Sequence, residues 1–424
     1  MPILRKSSIS QDKDVIIKST MIDYRAWPIF MLSFIRLFYV AIFERALSNY
    51  LYFVIDISES TLGFISSAGA IAYIFAPIIG QVITSKLGIR NSIILSSVLT
   101  PILTGAQIIY FEPWFLITCR ISLGLMLGVY WPNCFNLLSK WQKISSLEKS
   151  KKNFRNFNFS WNYGFIIGLL TGFSWAFYWN DYLAMVISWS LSFLLIPISF
   201  FINKESESIA LYEDPKEQLE VTITEVVIRD NLEQNSNTPM IIYPILFSWI
   251  GILFLAISKA SFIFSYPILL KAFGSSSYPT YLVQAGVQFA QVLGLTWINS
   301  MKIHSRKLST LLSIIVITII ALTVLLFKDI WYISIITAIA GLFFGFIHGT
   351  ALKVMLEYGT AKSTARYSTI NEIIVGIGFG LTPIIAGYVA EVNIYSIFTF
   401  LIIFGPFILI LLIYLSRNVK KEKF

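Results

Sequence analysis

Among the ionisable residues inside long apolar runs, where each needs a reason to exist, five carry the argument: Glu44, Arg45, Arg120, Lys259 and His348. A charge at the centre of a membrane helix costs at least ~2.5 kcal/mol even on a lenient insertion scale. The set is net basic, with three permanent cations against one carboxylate, and such a set suits an anion. Arginine's planar fork matches a carboxylate or phosphate in bidentate fashion, while lysine acts as a compact point charge. Arg45, Lys259, Arg120 and His348 are therefore the expected substrate ligands. Glu44, a carboxyl beside a cation and away from water, is the candidate for proton coupling. Arg36, nearer the start of its run, is read as snorkelling or pairing with an acid, and Glu372 as a structural hydrogen-bonding residue. With His304 and His348 the only histidines, HExxH and serine–histidine arrangements are missing, as is the GxxxxGK[ST] nucleotide loop. Neither an enzyme, a cofactor nor a metal site is expected. Cys119 and Cys134 are too far apart along one helix to pair.

The elements that must position these residues are membrane helices. Of 424 residues 56% are hydrophobic and 13% charged, with mean hydropathy +0.73, against roughly 25% charged in soluble proteins. Twelve apolar spans are read at 27–55, 61–84, 91–111, 114–139, 157–179, 182–202, 241–270, 279–300, 309–327, 331–356, 367–390 and 393–416. If the first 26 residues lie inside, 26 of the 32 Lys and Arg fall in inner segments, two in outer loops and four within spans. That asymmetry predicts cytoplasmic termini in a multi-pass cell-membrane protein. It also accounts for the net charge of +9 without nucleic acid. The N-terminal 1–26 lacks the apolar core of a signal peptide and is expected to be a cytoplasmic tail. Residues 203–240, with nine acidic and three basic residues, read as a flexible acidic linker. A regulatory domain is the alternative for that segment. Residues 417–424 form a basic tail.

The chain repeats itself. Arg120, Gly124, Gly128 and Pro132 fall at four-residue intervals on one helical stripe, and Thr337, Gly341, Gly345 and Gly349 repeat the spacing 217 residues later. Lys86, Gly88 and Arg90 between spans 2 and 3 are matched by Lys302 to Arg306 between spans 8 and 9. Gly164 and Gly168 of span 5 are matched by Gly376 and Gly380 of span 11, and Arg45 of span 1 by Lys259 of span 7. Four features at offsets of 212 to 217 predict an all-α polytopic membrane protein of twelve helices in two pseudo-symmetric six-helix bundles, 27–202 and 241–416.

This organisation resembles the major facilitator superfamily of secondary transporters. RxxxGxxxGxxxP in span 4 resembles its fourth-helix motif, NFSWNYGFIIGLLTG in span 5 its fifth-helix glycine motif, and GIGFGLTPIIAG in span 11 the counterpart. GQVITSKLGIRN resembles the diagnostic loop between helices 2 and 3, with Ser85 where the family carries an acid. The resemblance implies a central cavity lined by spans 1, 4, 7 and 10, with binding near the bilayer midplane. The positions of Arg45 and Lys259 resemble the organophosphate and organic-anion branches, which implies one anion clamped from both halves. The expectation is a monomeric alternating-access transporter of a small organic anion, with protons as the coupling ion. Proton-coupled drug efflux is disfavoured by the basic cavity, and a peptide transporter by Ala41, where that signature has a glutamate. A non-transporting sensor is the alternative of a different class.

Overall fold

The computed structural model describes residues 25–143, 147–203, 240–358, 361–417 and 420–422. Helix α1 (Trp27–Asn49) is span 1 and continues into a π-helical turn, Tyr50–Val54. Helix α2 (Glu59–Ile109) contains spans 2 and 3, which part at Gly88, where φ is 78° and ψ 164°. That backbone conformation is one a glycine adopts freely. Helices α3 (Pro113–Lys143) and α4 (Leu147–Tyr178) are spans 4 and 5. Span 6 is broken into α5 (Asp181–Ser192) and α6 (Leu195–Phe200). Spans 7 to 12 are α7 (Ile245–Ala272), α8 (Pro279–Ser300), α9 (Ile303–Leu326), α10 (Ile330–Tyr358), α11 (Ala361–Val392) and α12 (Ser396–Leu415).

Every span except 5 and 8 lies in a helix long and apolar enough to cross a membrane. The helices overrun the apolar stretches from which they were read: span 5 begins at Leu147 rather than 157, and span 11 at Ala361 rather than 367. Apolarity marks the hydrocarbon layer, whereas the backbone stays helical into the polar turns beyond it. Side chains such as Ile403, Ile410, Phe407 and Leu308 are exposed, forming the outer surface expected to meet lipid. The expected tails and linker, 1–26, 203–240 and 417–424, fall largely outside the described residues. Met240–Ile242 pairs antiparallel with Lys420–Glu422.

Small residues set the packing inside each half. The span 4 stripe lies on span 2: a Cβ on Gly124 would meet the Gly69 carbonyl, and one on Gly128 would meet Ala76. The span 10 stripe lies on span 8 in the same way, with Gly341 against Val287 and Gly345 against the Gln291 carbonyl. Such stripes let backbones approach closely where lipid supplies no hydrophobic drive. Gly164 and Gly168 seat span 5 on Phe34 and Phe38 of span 1. Their structural counterpart in span 11 is Gly378, seated on Ala256 of span 7. That corrects the sequence register from Gly376: Gly376 and Gly380 instead face Ile74 and Ile71 of span 2, across the interface between halves.

Each half has its own hydrophobic core, and each borrows from the other. Tyr281 and Ala285 of span 8 belong to the N-terminal cluster, and Tyr52 and Leu62 to the C-terminal one. The halves meet where span 5 packs on span 8 and span 2 on span 11. One end of the molecule carries the turn at Asp56, whose φ is 64°, together with the starts of spans 6 and 8. The opposite end carries the basic loop of Lys86 and Arg90.

Candidate functional site

Spans 1 and 4 bring their charges together. Arg120 Nη1 lies 2.6 Å from Glu44 Oε2, with the arginine side chain 6% and the glutamate 41% accessible. The ion pair engages one corner of the guanidinium; Arg120 Nε and Nη2 are buried without a partner among the described residues. Adjacent residues on a helix point about 100° apart, so Arg45, next to Glu44, faces elsewhere. Its Nε donates to Gln284 Oε1 of span 8 at 2.9 Å. Arg36 enters the interior of its own bundle, donating to Thr100 Oγ1 at 3.2 Å and Ser96 Oγ at 3.3 Å, with its guanidinium 3.9 Å from the Tyr130 ring centroid. That is a structural position.

The second cluster is built on one face of span 8. Gln284, Gln288 and Gln291 stand at i, i+4 and i+7, the spacing that aligns side chains on a helix. Lys259 Nζ donates to Gln288 Oε1 at 3.0 Å and to Gln291 Oε1 at 2.6 Å. Gln291 Nε2 lies 3.2 Å from His348 Nδ1 of span 10. Gln288 Nε2 donates to Asn162 Oδ1 of span 5 at 3.3 Å, across the halves. Among the described residues no carboxylate pairs with Lys259. Arg45 and Lys259, expected as a facing pair, are staggered along span 8. Gln284 and Gln291 differ by seven residues, about 10 Å along the axis.

The halves are joined at the Asp56 end by a polar seal. Asp181 of span 6 accepts from Tyr281 Oη at 2.7 Å, from Asn49 Nδ2 at 3.2 Å, and from the Ser277 hydroxyl. Asn49 Nδ2 also donates to Thr280 Oγ1 at 2.9 Å. Lys271 pairs with Asp56 and donates to the Tyr52 carbonyl at 2.6 Å, and the Ser60 amide donates to Glu391 at 3.2 Å. Bare backbone completes the closure: Gly63 lies against the Pro383 carbonyl, and Gly387 against Glu59.

Comparison with known proteins places this arrangement. The sequence pattern described as Major Facilitator Superfamily matches residues 248–424. Solved structures of that architecture align over nearly the whole chain. The nucleoside transporter NupG matches with TM-score 0.67 and 13% identity, covering 92% of this chain and 99% of its own. A POT family transporter in complex with 5-aminolevulinic acid matches with TM-score 0.70 and 13% identity, covering 93% and 96%. A peptide transporter POT matches with TM-score 0.67 and 12% identity, covering 98% and 100%. No curated protein matches by sequence. The C-terminal part of the chain is thus similar to the major facilitator superfamily, and the whole chain shares the fold of these solved transporters. Among the described residues, nine helices are long and apolar enough to cross a membrane.

The residues that resemble the superfamily's motifs take up distinct tasks. Arg90 donates to the Ile202 carbonyl at 2.6 Å and the Phe200 carbonyl at 3.0 Å, holding the last carbonyls of span 6. Lys86 is exposed beside the Gly88 break. Ser85, in the place of the family's acid, donates to the Val82 carbonyl of its own helix at 2.8 Å. Pro132 is accommodated within α3, and the next residue, Asn133, bonds Thr84 of span 2 at 2.8 Å. Glu372 accepts from Tyr73 of span 2 at 3.4 Å, an inter-half contact. Sequence reasoning missed Asp181 and the three glutamines. Asp181 follows Asn180, which caps its helix by accepting from the Leu183 amide at 2.8 Å, so it reads as an ordinary first-turn acid. The glutamines did carry a signal, since three amides on one face of a membrane span are costly unless they bind something.

Proposed function

We propose that this protein is a secondary transporter of the major facilitator superfamily that carries a small organic solute bearing a carboxylate or phosphate, bound between Arg45, Lys259 and Arg120 with His348 at the edge. The observation that carries the reading is Lys259, a buried cation that among the described residues is held by neutral amides. A substrate anion would supply the missing countercharge, and contacts reaching both Arg45 of one half and Lys259 of the other would draw the halves together. The Glu44–Arg120 pair is the coupling element of this proposal. Protonation of Glu44 releases Arg120, whose remaining donors have no partner among the described residues, and substrate and proton binding become linked. The topological part of the proposal is that both termini are cytoplasmic, so that the Asp56 end faces outward.

A peptide or other zwitterion is the second reading. It is favoured by the half-exposed Glu44 carboxylate, an acceptor for an ammonium group near the basic residues, and by the shared fold with the POT structures.

The test is uptake by purified protein in liposomes of succinate, phenyl phosphate, dialanine and a cationic dye, with and without a pH gradient. Saturable uptake of the anions is expected, abolished by Arg45→Gln and by Lys259→Gln in folded protein. Uptake unchanged in both variants overturns the anion site. Uptake indifferent to pH and to Glu44→Gln overturns the proton coupling.

A further inference from the structure

We propose that Gln284, Gln288 and Gln291 are specificity-determining residues, neutral stand-ins that hold the two cations in an anion-ready state until a substrate displaces them. The inference rests on the anion reading above and deepens it. Each amide carbonyl is aimed at a cation: Gln284 at Arg45, Gln288 and Gln291 at Lys259. Two of the three are oriented by a second bond through their nitrogen, Gln288 to Asn162 and Gln291 to His348. A rotated amide would present an NH2 group to an ammonium, so these second bonds fix the face that Lys259 meets.

The chemistry of the choice is specific. A buried ammonium requires acceptors, and glutamate would be the stronger one, since a carboxylate adds the Coulombic attraction of a full opposite charge to the hydrogen bond. A glutamate at the same position would also cancel the charge and leave nothing for a substrate anion. Glutamine satisfies the donors and preserves the charge. A carboxylate or phosphate arriving at Lys259 then competes with a neutral carbonyl, and it wins for the same reason that glutamate would have. Displacement of Gln288 also disturbs its link to Asn162, so occupancy of the lysine is felt at the span 5–span 8 contact between the halves.

A purely structural role makes the opposite prediction for substitutions. If Gln291 only satisfies Lys259, then Gln291→Glu preserves or strengthens the contact and leaves transport intact, while Gln291→Met, which removes it, does more damage. The inference predicts the reverse order. In proteoliposomes of the full chain, with succinate and phenyl phosphate as probes, Gln291→Glu should lower uptake at least about tenfold, the effect of ~1.4 kcal/mol. Gln291→Met, which costs Lys259 one acceptor but leaves its charge and its Gln288 bond, should lower uptake less, keeping at least about threefold more than Gln291→Glu. Gln288→Glu is the parallel variant should Gln291→Glu fail to elute as a folded monodisperse protein. A glutamate variant that transports the probes as well as wild type, or better than the methionine variant, overturns the inference and leaves the anion reading standing. Wild-type protein that takes up neither probe overturns both.

Discussion

Asp181→Asn isolates the polar seal at the Asp56 end. The carboxylate accepts from three donors, and two of them, Ser277 and Tyr281, come from the other half. Asparagine keeps the shape and one carbonyl oxygen, so the substitution removes charge assistance while opening no hole. A hydrogen bond to a charged group contributes about 1.5–3 kcal/mol and a neutral one about 0.5–1.5. The difference is ~1 kcal/mol per bond, and the two inter-half bonds together give about 2 kcal/mol. That moves the balance between sealed and open states roughly 30-fold toward the open one. Spin labels at Tyr178→Cys and Val392→Cys, 77% and 87% exposed and on opposite halves, would report the change as distance distributions. The background would be Cys119→Ala and Cys134→Ala, which removes the two native cysteines. The expected result is a new or enlarged long-distance population in Asp181→Asn, with the same helical content and elution volume. Identical distributions in the two proteins would refute the assignment of Asp181 as a latch.

Gly63→Val should shift the same distance distribution in the same direction, because its side chain would collide with the Pro383 carbonyl only when the end is closed. Arg36→Met should be neutral or raise the melting temperature in detergent. Ser96 and Thr100 keep their bonds to the Met126 and Ser96 carbonyls, and replacing buried ionic groups by apolar ones of similar volume is often neutral or stabilising by 1–4 kcal/mol. A large loss of folded protein would show that the charge itself is needed. Gly128→Val should lower the melting temperature, since its side chain would strike Ala76 and overpacking typically costs about 1–3 kcal/mol. An unchanged unfolding curve would contradict the close packing of spans 2 and 4.

Much of the fold was legible because membrane helices announce themselves by length and apolarity, and because the span 4 stripe recurs in span 10 with the same packing partner, the second helix of its half. The site was legible only in part. Charge in an apolar run singled out Arg45, Arg120 and Lys259, but their partners depend on helix rotation and depth, which periodicity within one span does not encode. Glu44 and Arg45 are neighbours in sequence, yet one turns to span 4 and the other to span 8. The same limit explains Gly376 and Gly378: spacing alone could not say which of two glycines faces the companion span and which faces the other half.

The amides of span 8 bear on how the chain enters the bilayer. Taken alone, α8 falls short of the apolarity that marks a self-sufficient membrane helix, and Lys259 burdens its predecessor. Spans 7 and 8 are joined by a short turn, and in the folded protein the lysine and the glutamines satisfy one another. Synthesis in that order delivers both halves of the bargain as a hairpin, so the two segments should partition into lipid together. A chain truncated after span 7 should then be retained less well during biogenesis than one extended through Ser300.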